Sequence, residues 1–152
     1  MASNESLRKL IGHTLNQDIQ ILPFHEAIKQ AKHMKTGNAL VMNSAAEFIK
    51  EGHFLVLIKY DNDQILVFDP LASKYTDFLL QPLFKNFHTL FINKVQVQNN
   101  ESEFCSLFCA SFLIAFFKHK NIENYFNHFS KKLKINDLYV IEYIFNELQN
   151  IT

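Results

Sequence analysis

Tryptophan is absent from this 152-residue chain, and glycine, proline and cysteine are scarce, at three, three and two residues. So few Gly and Pro exclude a collagenous, low-complexity or linker-rich chain. No internal repeat is found, and residues 1–152 read as one domain. Two Cys exclude a disulfide scaffold. Cys105 and Cys109 stand four apart, so on one helix their side chains would start about 6 Å apart and poorly oriented for a bridge. No second Cys pair or tight His group completes a zinc site, and no metal is expected. Lys and Arg number 15, as do Asp and Glu, so the formal net charge is zero and the overall balance gives no argument for nucleic acid. Among the basic residues only Arg8 is an arginine. No apolar run reaches the length of a membrane span, and residues 1–6 lack the charged and apolar regions of a signal peptide. A soluble intracellular protein is expected.

What the chain does have is apolar mass, 48% of its residues, with 16 Phe. Ser3 or Asn4 is placed to cap a first helix running through Ile11. Residues 24–34 carry Phe24, Ala27, Ile28 and Ala31 at helical spacing, and residues 39–42 read as a short buried strand. The clearest element is a hairpin. Residues 53–60 and 64–69 are apolar runs, and Asp61, Asn62 and Asp63 between them are turn chemistry. Residues 76–87 read as a helix interrupted at Pro82, and residues 88–98 as a further strand. Residues 103–119 form a helix apolar nearly all round, hence buried. Residues 122–129 and a last amphipathic helix capped by Asn136 or Asp137 complete the chain. The expectation is an α+β domain, a small, mostly antiparallel sheet flanked by helices.

Three of these elements concentrate chemistry. The hairpin spacing brings His53, at one strand's start, against Asp69, at the other's end. Cys105 opens the buried helix, where unpaired N–H groups and the helix dipole favour a thiolate. Gln98, just upstream, carries an amide that can donate to a developing oxyanion. Gln96 is its rival, since alternate strand residues face the same side. A histidine, a carboxylate, an amide and a helix-opening cysteine are the parts of a cysteine protease. Cys109, one turn on, reads as core. His25, His33, His119 and His128 fall in helical patterns without partners and read as surface.

The ordered set His53-Phe54, Phe68-Asp69-Pro70, Gln98 and Cys105-Ser106-Leu107-Phe108-Cys109 resembles the adenovirus-type maturation proteases (adenain), within the group that includes the SUMO-specific proteases. The seven-residue step from Gln98 to Cys105 is similar to the adenovirus branch. Residues 38–44 resemble the strand preceding the family's histidine, and residues 7–11 its first helix. Related proteases occur in virophages and Polinton-like elements. The resemblance implies a Cys105 nucleophile, His53 as its ion-pair partner and proton donor, Asp69 orienting the imidazole, and Gln98 beside the Cys105 N–H in the oxyanion hole. It also implies an adenain-like fold and cleavage of viral structural precursors at Gly-Gly or Gly-X sites, in a cleft lined by Phe54 and Ser106. The setting would be a virion or a virus factory.

Phe54 stands where the family usually has Trp, and Ser106 where it usually has Gly. No Cys precedes Gln98 to match the one tethering the adenovirus enzyme to its activating peptide. The sequence requires no cofactor. DNA or an activating peptide enters only through the resemblance, with Lys118, Lys120, Lys131, Lys132 and Lys134 as the basic cluster concerned, read otherwise as a solvated face. The chain is expected to act as a monomer on a protein substrate. Two other readings stay open: a protease for ubiquitin-like modifiers, and a non-enzymatic binding module that kept the fold.

Overall fold

The strongest strand pattern is the run from Phe54 to Ile58, five successive apolar residues. A strand alternates its side chains between two faces, so such a run needs cover on both. In the computed structural model, which describes residues 4–43 and 53–149, that run lies in β3 (Phe54–Asp61), the middle strand of five. The others are β1 (Gln20–Pro23), β2 (Ala39–Asn43), β4 (Gln64–Phe68) and β5 (Thr89–Ile92), in spatial order β1-β2-β3-β4-β5. Phe54, Val56 and Ile58 face one core with Val41 and Phe68. Leu55 and Leu57 face the other with Leu40, Met42, Ile65 and Val67.

The sheet is mixed, which corrects the mostly antiparallel expectation. The β2–β3 and β3–β4 pairs are antiparallel, but β1–β2 and β4–β5 are parallel. Parallel neighbours need a crossover. Here α2 (Phe24–Ala31) links β1 to β2, and α3 (Thr76–Leu79) with a 3-10 turn (Gln81–Leu83) links β4 to β5. Residues from both crossovers, including Ala27, Ile28, Leu80 and Leu83, cover the second core. The first lies under α1 (Asn4–Leu15), α4 (Cys105–Ile114), α5 (Ile122–Asn127) and α6 (Leu133–Gln149).

Several sequence expectations change. The first helix runs past Ile11 to Leu15, where Asn16 at φ 51° follows it, the left-handed residue that commonly ends helices. Ser3 and Ser44 lie outside the described residues. The strand expected over 88–98 stops at Ile92. The long helix expected over 103–119 is α4 followed by a π turn (Ala115–His119), closed by Lys120 at φ 54°. The last helix starts before Asn136 rather than being capped by it, and Asn136 is 1% exposed within α6. The phenylalanines brace α4: Phe112 stacks on Phe68 at 4.4 Å between ring centroids, and buried Tyr125 bonds Ser111 at 2.7 Å.

Candidate active site

The hairpin register Val56↔Phe68 sets His53, just before β3, beside Asp69, just after β4. His53 Nε2 lies 2.6 Å from Asp69 Oδ1. Its other nitrogen, Nδ1, lies 3.2 Å from Cys105 Sγ. Cys105 is the first residue of α4, and its sulfur accepts the Phe54 N–H at 3.2 Å. Three side chains from two strand ends and one helix start therefore form one hydrogen-bonded line. All three are nearly sealed, with His53 5% exposed, Asp69 0% and Cys105 4%.

Burial disfavours charge on each member of the line, yet the contacts outweigh it. Burial pushes the His53 pKa down, but hydrogen bonds to Asp69 and Cys105 and their charges carry it up to about 10. Burial pushes the Cys105 thiol up, but hydrogen bonds with Cys109 and His53, the His53 charge and the Phe54 N–H bring it down to about 6. Between those values the pair is thiolate and imidazolium. The Asp69 carboxyl, opposed by burial, is held low by His53, Thr76 and Ser73. Cys109 goes the other way: wholly buried, its pKa is raised, and its Sγ–H donates to the Phe54 carbonyl at 3.3 Å. Both cysteines are free thiols.

The Asp69 carboxylate sits in a cage of donors. The Leu71 and Ser73 N–H groups reach it at 3.0 and 2.9 Å, and the Thr76 hydroxyl donates to Oδ2. Its backbone is held as firmly. Asn93 accepts the Asp69 N–H and donates to the Asp69 carbonyl, both at 2.7 Å, so one side chain does the work of a ladder pair. This explains why the strand stops: after Ile92 the partner strand is replaced by an Asn side chain. Thr76 and Asn93 were missed by sequence reasoning. The pattern x-Asp-Pro with Ser and Thr four and seven residues on was the available sign of an Asp-centred turn; Asn93 gave none.

Gln98 lies in the loop that follows. The Val97 and Gln98 N–H groups both donate to the Pro70 carbonyl, at 2.9 and 3.0 Å. The Gln98 side chain is 2% exposed, its Nε2 donates to the Ser102 carbonyl at 3.1 Å, and its Oε1 is buried with no partner among the described residues. Gln96, the rival, turns its amide to the Gln98 carbonyl at 2.7 Å and Asn100 Oδ1 at 2.8 Å, holding the loop together.

Other expectations need correction. Phe54 and Ser106 are each 2% exposed, so they line no open cleft, and the Ser106 side chain does not project toward solvent. His119 is not partnerless, since it bonds Glu147, which also takes Lys118 at 2.7 Å. His128 bonds the Asn124 carbonyl and stacks on Tyr139. Lys118 is thereby engaged within the fold rather than part of a free basic face. Among the described residues, no group of three or more His, Cys, Asp or Glu side chains is arranged to hold a metal ion, and no helix is long and apolar enough to cross a membrane. No protein-family model matches the chain, and no curated protein matches it either.

Proposed function

We propose that the chain is a cysteine endopeptidase of the adenain type. The observation that carries this reading is the buried line from Cys105 through His53 to Asp69, at 3.2 and 2.6 Å. In this reading the Cys105 thiolate attacks the scissile carbonyl. The negative charge that develops on the carbonyl oxygen is met by the Cys105 N–H, which as the first N–H of α4 has no acceptor within the helix, and by Gln98 Nε2. The imidazolium of His53 gives its Nδ1 proton to the leaving amine. Water then hydrolyses the thioester, with His53 as base. Asp69 keeps the ring oriented with Nδ1 towards sulfur.

The substrate class follows from the family resemblance together with access. A nucleophilic residue only 4% exposed, flanked by buried Phe54 and Ser106, favours a thin backbone at the cleaved bond, such as Gly-Gly or Gly-X. Viral structural precursors are the substrates we assign. The test uses a quenched-fluorescence peptide library that includes Gly-Gly and Gly-X sites, with iodoacetamide labelling of Cys105 and Cys109 across pH. The expected outcome is cleavage lost in Cys105→Ala. Cys105 should label along a curve rising near pH 6 in wild type, and nearer that of an ordinary thiol, about 8.5, in His53→Ala. No cleavage, with Cys105 labelling no faster than Cys109, would overturn the reading.

A further inference from the structure

Gln98 sits where no ladder sets the direction of its side chain. Its amide is fixed instead by one contact, Nε2 to the Ser102 carbonyl. Ser102 is in turn a junction. Its hydroxyl donates to Asp137 Oδ1 on α6 at 2.7 Å and accepts the N–H of Phe104, the residue before Cys105, at 3.2 Å. The neighbouring residue on α6, Asn136, donates to the Val97 carbonyl at 2.8 Å and accepts the Ser130 N–H at 2.7 Å. Two adjacent side chains of α6 thus grip both ends of the segment that carries Gln98. Their hydrogen bonds run to Ser102, Val97 and Ser130.

We infer that Asp137 is a positioning residue for the hydrolysis proposed above: through Ser102 it fixes the Gln98 amide, one N–H on the Ser102 carbonyl and the other free for the oxyanion. The inference rests on the protease reading. An amide that must meet a charge appearing only in the transition state loses effect when it is free to rotate, because the stabilisation depends on donors already in place. The ion pair of His53 and Cys105 lies outside this relay, which separates the two by experiment.

The experiment measures kcat and KM on one cleaved library peptide, with the iodoacetamide pH curve in parallel, for wild type, Asp137→Ala, Asp137→Asn, Ser102→Ala, Gln98→Ala and Gln98→Ala/Asp137→Ala. We expect Asp137→Ala and Ser102→Ala to lower kcat by about 10- to 100-fold with KM nearly constant. Asp137→Asn, which keeps an acceptor oxygen, should restore most of it. In the Gln98→Ala background, removing Asp137 should cost nothing further, because the group it positions is gone. The Cys105 labelling curve should stay that of wild type throughout. Full kcat in Asp137→Ala, an equal further loss in the double variant, or a displaced labelling curve would overturn the inference. Absence of cleavage by the wild type would overturn the protease reading itself, and this inference with it.

Discussion

The β3–β4 hairpin and the segment from 93 to 104 each deliver part of the candidate site, and they do so by different means. The hairpin holds His53 against Asp69 through an antiparallel ladder that runs in one register from Val56↔Phe68 to Lys59↔Ile65 and shifts only beside the turn, so their meeting is underwritten by several backbone bonds at once. The later segment has almost no regular structure. It is placed by single contacts: Asn93 on the Asp69 backbone, the Pro70 carbonyl on two N–H groups, Asn136 on Val97, and Ser102 on Asp137. A ladder distributes the loss when one residue changes, whereas a clamp made by one side chain fails when that side chain is removed. The His53–Asp69 pair should therefore be robust except at its own side chains, and the placement of the Gln98 amide fragile at several positions remote from it.

The largest break in this contrast is at Asp69. Asp69→Asn keeps the size of the side chain and removes the charge facing His53. We expect kcat/KM to fall on the order of 1,000-fold, within the range that general acid–base groups contribute. The direction of the pH change follows from the shifts. In wild type the thiolate forms as pH rises through about 6 and the imidazolium is lost as pH rises through about 10, so activity should rise through the first value and fall through the second. Without the carboxylate, burial acts on His53 with less opposition and its pKa drops. The falling limb moves to lower pH, and the rising limb moves up as the thiolate loses part of its counter-ion. A rate profile with unmoved limbs would show that Asp69 holds the ring without setting its charge.

An intermediate effect is expected where the two regions join. Asn93→Ala strips the Asp69 N–H of its partner and leaves the Asp69 carbonyl only the Ala72 N–H. An unsatisfied buried polar group costs about 1–3 kcal/mol, so with one such group left a loss of roughly 2 kcal/mol in urea-denaturation stability is expected. The Asp69 carboxylate keeps the Leu71, Ser73 and Thr76 donors. The rising limb of the Cys105 labelling curve should accordingly stay near pH 6. A curve displaced by a full pH unit would mean that the clamp, not the hairpin, orders the dyad, reversing the comparison.

The same contrast explains what could be read before the structure was known. The hairpin was legible because its determinants are local: apolar alternation, turn residues, and a spacing that returns one strand end to the other. The buried helix opening at Cys105 was legible for the same reason. The parallel pairings were not, since β1 and β5 carry no turn signal naming their neighbours. The strand pattern through Val95 and Val97 was real as alternation but misleading as structure, because Asn93 takes the hydrogen bonds that would have extended the ladder. Asn136 and Asp137 looked like a helix cap because Asn and Asp favour that position; their contacts are instead long-range, to Val97 and Ser102. Burial of Phe54 and Ser106 depends on how α4 seats against β3, which no local pattern encodes.

The smallest effect sharpens the comparison from inside the Asp69 turn. Ala72 adopts φ 44°, a left-handed conformation that costs a residue with a Cβ about 1 kcal/mol. It stands between Leu71 and Ser73, whose N–H groups both reach the carboxylate, and its own N–H bonds the Asp69 carbonyl at 3.0 Å. The strain is thus tied to a backbone turned inward around a buried charge. Ala72→Gly removes the Cβ penalty but frees the unfolded chain, so the net gain should be only about 0.5 kcal/mol. For a chain of this length that is a rise in Tm of roughly 1–2 °C. Ala72→Val should lower Tm, since a β-branched side chain tolerates positive φ poorly. Neither should move the Cys105 labelling curve if the Leu71, Ser73 and Thr76 donors to the Asp69 carboxylate survive. A gain in Tm with a curve displaced towards the free thiol would show that the stiffness at Ala72 serves the ion pair, making this turn the one part of the hairpin side that behaves like the clamped segment.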